Sequence, residues 1–168
     1  MEIINRVAQS TLNVFDLEDL YQEGPRTNID LAQWLYEGFV LREKEFRASL
    51  QEQDWSNYKN TFVALHCSTD AIVPAWAFML VAAHVQPFAK RVFWGTPHAL
   101  EVALFTEALS TLSFESYQDS AVIIKGCSKK PVPQEAYVEA IQKLQPFAKS
   151  IMYGEACSAV PLFKRKKS

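Results

Sequence analysis

Two short runs along the chain are apolar without polar alternation, "TFVALHC" at 61–67 and "AVIIKGC" at 121–127. Runs of this length, rich in β-branched and aromatic residues, predict strands buried on both faces. Each leads to a Val-Pro pair, at 73–74 and 132–133, and then to apolar residues at helical spacing. Proline in a first helical turn loses no hydrogen bond, so helices are predicted over 75–85 and 134–144. In the second, Ala136, Tyr137, Ala140, Ile141 and Leu144 share one face. The first is apolar nearly all round, which predicts deeper burial. "QPFAK" closes both, at 86–90 and 145–149, because proline restricts the residue before it. "RVFWG" and "SIMYG" then predict second strands, so each half reads βαβ with a right-handed crossover.

Set one beneath the other, 67–95 and 127–154 register to their ends once one residue is deleted from the Cys-to-Pro loop. Cys67 falls over Cys127, Ser68 over Ser128, and Trp94-Gly95 over Tyr153-Gly154. This match predicts an internal duplication. Between the copies, 96–113 predicts a linking helix with Thr96 as N-cap and Pro97 in the first helical position. The expected fold is α/β: a parallel sheet of four or slightly more strands, helices on both faces, and a mostly helical N-terminal extension. A single domain over 1–168 would hold the extension (1–58), first copy (59–95), linking helix (96–113), second copy (120–154) and a Cys-containing tail (155–168). Within the extension, which is expected to cover a sheet edge or face, an amphipathic helix is predicted at about 40–53. Asp16–Gly24 and Asp30–Gly38 share a D-L-x6-G frame, an echo given no weight in this reading.

The net charge of −2 excludes a nucleic-acid binder by overall charge. The opening "MEIINRVAQS" lacks the apolar core of a signal peptide, and the apolar stretch 71–85 is too short to span a bilayer. A cytoplasmic protein is expected, with neither nucleic acid nor membrane as partner and with its oligomeric state open. Thiols stay reduced in that compartment, and three cysteines argue against a disulfide framework.

All three cysteines stand in a Cys-Ser phrase that soon reaches Val-Pro: Cys67, Cys127 and Cys157. The first two end core strands, at the sheet edge where parallel α/β folds bind ligands. A duplicated βαβ pair is most simply ordered 2-1-3-4, which would set Cys67 and Cys127 on adjacent strands about 4.8 Å apart. Cys157 follows Gly154 by three residues, and His98 follows Gly95 by the same interval. These positions predict a zinc site or iron–sulfur cluster held by Cys67, Cys127 and Cys157, with His98 as fourth ligand. One alternative is a thiol-dependent enzyme with Cys127 activated by Lys129 and Lys130. Another is a non-catalytic interaction domain with buried cysteines. No CxxC, Cys-x5-Arg, GxGxxG, Walker loop or Ser/His/Asp elbow is present. His66 and His84 read as structural, Asp70 as the cap of the helix entered at Pro74, and Ser68, Ser128 and Ser158 as turn hydroxyls. The closing "KRKKS" reads as a solvated basic tail.

The phrases "CSTDAIVPAWAFML", "IIKGCSKKPVP" and "YGEACSAVPL", with "EIINRVAQS" and "VLREKEFR", resemble an uncharacterised bacterial family catalogued as domain of unknown function 2480. The resemblance covers nearly the whole chain and brings no established activity. It implies genes placed near those for iron–sulfur cluster assembly, hence an accessory role there with assembly proteins as partners. His66 and His98 lie outside the matching phrases, so the resemblance adds nothing to the fourth ligand.

Overall fold

A computed structural model describes residues 12–126, 128–155 and 157–167. The elements in chain order are β1 (Leu12–Asp16), β2 (Arg26–Asp30), α1 (Glu43–Glu52), β3 (Phe62–His66), α2 (Ala75–Val85), β4 (Arg91–Trp94), α3 (Pro97–Ser110), β5 (Ala121–Lys125), α4 (Gln134–Leu144), β6 (Ser150–Tyr153) and β7 (Val160–Lys164). Short 3-10 turns follow β1 and β2 and precede β3 and β5. The chain forms two compact units, a contiguous one at Glu23–Leu100 and a split one made of Met1–Gln22 with Glu101–Ser168.

The fold is mixed α/β. The split unit holds a four-stranded, mostly parallel sheet in the order β1-β5-β6-β7, with only β7 antiparallel. The contiguous unit holds an all-parallel sheet, β2-β3-β4. Each middle strand is buried nearly from end to end: Phe62, Val63, Ala64 and Leu65 in β3, and Val122, Ile123 and Ile124 in β5. A strand so enclosed needs a ladder on both edges to satisfy its backbone. One neighbour comes from its own βαβ crossover and the other from the N-terminal segment.

That arrangement corrects two expectations. The single sheet in the order 2-1-3-4 is replaced by two sheets, because β1 and β2 occupy the edges that would otherwise have been free to pair β3 with β5. The described part of the N-terminal extension is not mostly helical, since 12–58 supplies both of those strands as well as α1.

Both crossover helices run over the predicted spans. α4 buries Ala136, Ala140 and Leu144 against a core that includes Phe15, Val122 and Ile151. α2 buries Ala77, Phe78, Val81 and Val85 with Phe46, Leu50 and Leu65. The deeper burial expected of α2 is not found: Met79 is 68% exposed and Trp76 37%. Neither helix has a side-chain cap; Pro74 and Pro133 fill the N-cap positions, so Asp70 does not cap α2. Thr96 does cap α3, accepting from the Ala99 N–H at 3.1 Å.

Candidate functional site

The carboxyl ends of the middle strands are built from loops held down by carboxylates of the N-terminal segment. After β2, Asp30 Oδ1 accepts from the N–H of Ala32 at 2.9 Å and from that of Ser68 at 3.0 Å. Burial pushes this carboxyl up, but the Ser68 hydroxyl and those two N–H groups outweigh it, holding Asp30 below its ordinary value. After β1, Glu18 Oε1 accepts from the Lys129 N–H at 2.7 Å and from the Ser128 N–H. The Lys129 bond leads in holding the Glu18 carboxyl below its usual range. In both units the loop after the buried strand therefore has its backbone donors closed by an internal anion. Elsewhere in the contiguous unit, His66 Nε2 lies 2.9 Å from Asn28 Nδ2, and His84 stacks on Trp55 at 5.3 Å between ring centroids. Both histidines have structural partners.

What differs between the units is the aromatic pair near the strand ends. In the contiguous unit Phe78 and Trp94 stack with ring centroids 4.2 Å apart and planes 17° from parallel. In the split unit Tyr137 and Tyr153 meet edge to face at 5.8 Å and 79°. Beside that open pair lies an apolar cleft of about 460 Å³, lined by Ile124, Tyr137, Val138, Ile141, Tyr153 and Leu162. Next to it a polar pocket of about 170 Å³ is lined by Asp16, Lys125, Gly126, Ser128, Tyr153 and Glu155, among others. Tyr153 lines both. Gly126 sits in a tight place here: a Cβ on it would come to 3.0 Å from the Tyr137 hydroxyl and 3.3 Å from Leu17 Cβ. Lys125 Nζ pairs with Glu155 Oε1 at 3.1 Å, and this hydrogen bond and charge, helped by Asp16 and Glu18, hold the ammonium form above its ordinary range.

The chain belongs to the DUF2480 family, proteins of unknown function, whose model matches residues 1–165. No curated protein and no solved structure matches it. The family's description thus names no ligand or reaction, and the site has to be read from its own chemistry.

The expected metal centre is overturned. Among the described residues no group of three or more His, Cys, Asp or Glu is placed to hold a metal ion. Cys67 follows β3 in the contiguous unit, half-buried, with Sγ 3.4 Å from Thr69 Oγ1. Cys157 is exposed in the split unit, before β7, so neither described cysteine is buried. His98 lies in the first turn of α3, in the contiguous unit and exposed. Cys127 lies outside the described residues. The strands leading to Cys67 and Cys127 belong to different sheets.

The pairing of Cys67 with Cys127 also fails in register. The Thr61 carbonyl accepts from Lys90 N–H at 2.9 Å and the Ser120 carbonyl from Lys149 N–H at 2.8 Å. The Leu65 carbonyl accepts from Gly95 N–H at 2.8 Å and the Ile124 carbonyl from Gly154 N–H at 3.0 Å. Segments 61–74 and 120–133 are the same length, so no deletion is needed, and Cys67 stands level with Gly126. Of the residues expected to activate Cys127, Lys129 is anchored through its N–H to Glu18, and Lys130 Nζ lies 5.2 Å from the Tyr21 ring centroid. Glu18, Tyr137, Tyr153 and Glu155 were missed. A gapless alignment sets Tyr137 against Phe78 and Tyr153 against Trp94 and so marks the two aromatic pairs, but nothing in the sequence pattern marks Glu18 or Glu155.

Proposed function

We propose that this chain is a non-catalytic binding protein, and that its split unit takes a small amphipathic molecule in the joined clefts at Tyr153. The observation that carries this reading is the shared wall: one tyrosine, at the carboxyl end of β6, borders both an apolar cleft and a polar pocket. Ligand sites are concave, mostly apolar and furnished with a few convergent polar groups. In parallel α/β sheets they lie outside the carboxyl ends of the strands. The test is titration of the full chain with neutral n-octanol, followed by NMR. Saturable shifts at Ile124, Tyr137, Ile141 and Leu162 are expected, and Val138→Trp, which fills the cleft from α4, should abolish them. Binding that Val138→Trp leaves unchanged would place the ligand elsewhere and refute the proposal.

We also propose that the two units descend from one duplicated segment that includes the N-terminal strands. The support is the matched backbone bonding at Thr61 and Ser120, at Leu65 and Ile124, and at the left-handed residues Asn60 and Asp119, with φ of 59° and 57°. The D-L-x6-G echo belongs to the same pattern: Asp16 and Asp30 end β1 and β2 and each caps the turn that follows. A cytoplasmic location is part of the proposal, supported by the free thiols of Cys67 and Cys157. No helix of the described residues is long and apolar enough to cross a membrane. An association with iron–sulfur assembly proteins rests on the family resemblance alone.

A further inference from the structure

We infer that the ligand of this site carries a protonated amine at its polar end. The inference rests on the proposed clefts and adds the chemistry of the head group. The polar pocket is lined by two carboxylates, Asp16 and Glu155, against one ammonium, Lys125. Lys125 is already committed to Glu155 at 3.1 Å. Asp16 Oδ1 accepts from the Glu18 N–H at 3.0 Å. The Glu18 carboxylate adds a third negative charge close by, pinned in place by the Ser128 and Lys129 N–H groups. The field of these acids is felt at Lys125, where Asp16 and Glu18 both favour the charged form.

Tyr153, which lines both spaces, meets Tyr137 edge to face. An anionic head would meet two carboxylates; an ammonium would meet Asp16 and Glu155 as hydrogen-bond acceptors. The apolar body would then lie along Ile124, Val138, Ile141 and Leu162.

The experiment titrates the full chain with octylamine, n-octanol and octanoate by calorimetry at neutral pH and low salt. Octylamine is expected to bind at least tenfold tighter than octanol, and octanoate more weakly than octanol. Asp16→Asn with Glu155→Gln should remove most of octylamine's advantage over octanol, bringing the ratio of their affinities close to one. Asn retains capping ability at position 16, and Glu155→Gln alone, at an exposed position, guards against a folding artefact. If octylamine binds no better than octanol, or octanoate binds best, the amine assignment is overturned while the cleft stands. If none of the three binds, the cleft itself is refuted, and the head-group assignment with it.

Discussion

Ser68 explains more of the Cys-Ser phrase than Cys67 does. Its N–H and hydroxyl close on Asp30, while in the split unit the N–H groups of Ser128 and Lys129 close on Glu18. A carboxylate that accepts two backbone donors is stabilised in its charged form. Both carboxyls therefore titrate below their ordinary values of 3.8 and 4.5. The sign follows: a depressed folded pKa gives stability that is complete above the unfolded value and lost as pH falls through the folded one. The thermal midpoint of the parent is expected to fall more steeply below about pH 5 than that of Asp30→Asn with Glu18→Gln. Equal slopes would mean that these anchors contribute nothing. Asp30→Ala, which also removes a helix-turn cap, should cost about 1 kcal/mol by chemical denaturation. Glu18→Ala should instead speed hydrogen exchange at Ser128 and Lys129. The two described thiols differ in access. Iodoacetamide is expected to modify exposed Cys157 before half-buried Cys67, as peptide mapping over a time course would show; the reverse order would require a different placement of one of them.

Helices were the most legible elements, and for a concrete reason. Val-Pro sets a start and "QPFAK" a stop, both local signals, and α2 and α4 occupy the predicted spans. Strands β3 and β5 were legible as unbroken apolar runs, but the partners of a strand are not written in it. β1 and β2 read "LNVFD" and "RTNID", with only Phe15 and Ile29 buried. Edge strands of this kind carry too few apolar residues for periodicity to reveal them, so their places were given to β3 and β5 themselves and the thiols were drawn together. The candidate site was hidden partly for the same cause, because two of its acids, Asp16 and Glu18, sit at the end of β1 or just beyond it, while Glu155 follows β6. Burial within a helix, in contrast, can be tested position by position. Leu144 is fully buried in α4 and Met79 is largely exposed in α2. Leu144→Ala should cost about 2–5 kcal/mol, and Met79→Glu should stay within about 0.5 kcal/mol. Urea unfolding of the two variants measures both, and a large loss from Met79→Glu would show that the outer face of α2 is covered.

At the scale of the molecule the chain crosses between units twice, beginning and ending in the split one. The contiguous unit, Glu23–Leu100, therefore contains every strand of its sheet and every residue of its buried cluster. That cluster joins Ile29 of β2, Leu31 just after it, Phe46 and Leu50 of α1, Leu65 of β3 and Val81 of α2. It also includes Trp55, whose indole donates to the Leu50 carbonyl at 3.0 Å. A segment of this size buries little more than half of its unfolded surface and is marginal on its own. Among the described residues its three strands nonetheless pair only with one another. We expect residues 23–100, expressed alone, to fold cooperatively, with protected amides in β3 and with Trp34 and Trp55 fluorescence shielded from water. The split unit has no equivalent single segment, since β1 must come from the N-terminus to pair with β5; residues 101–168 alone should remain unfolded, and adding a peptide containing residues 12–22 should restore order at β5. Circular dichroism and hydrogen exchange of the two fragments decide the matter. A 23–100 fragment without cooperative unfolding would show that its closed sheet does not suffice, and a folded 101–168 fragment would show that β1 is dispensable to the sheet it borders.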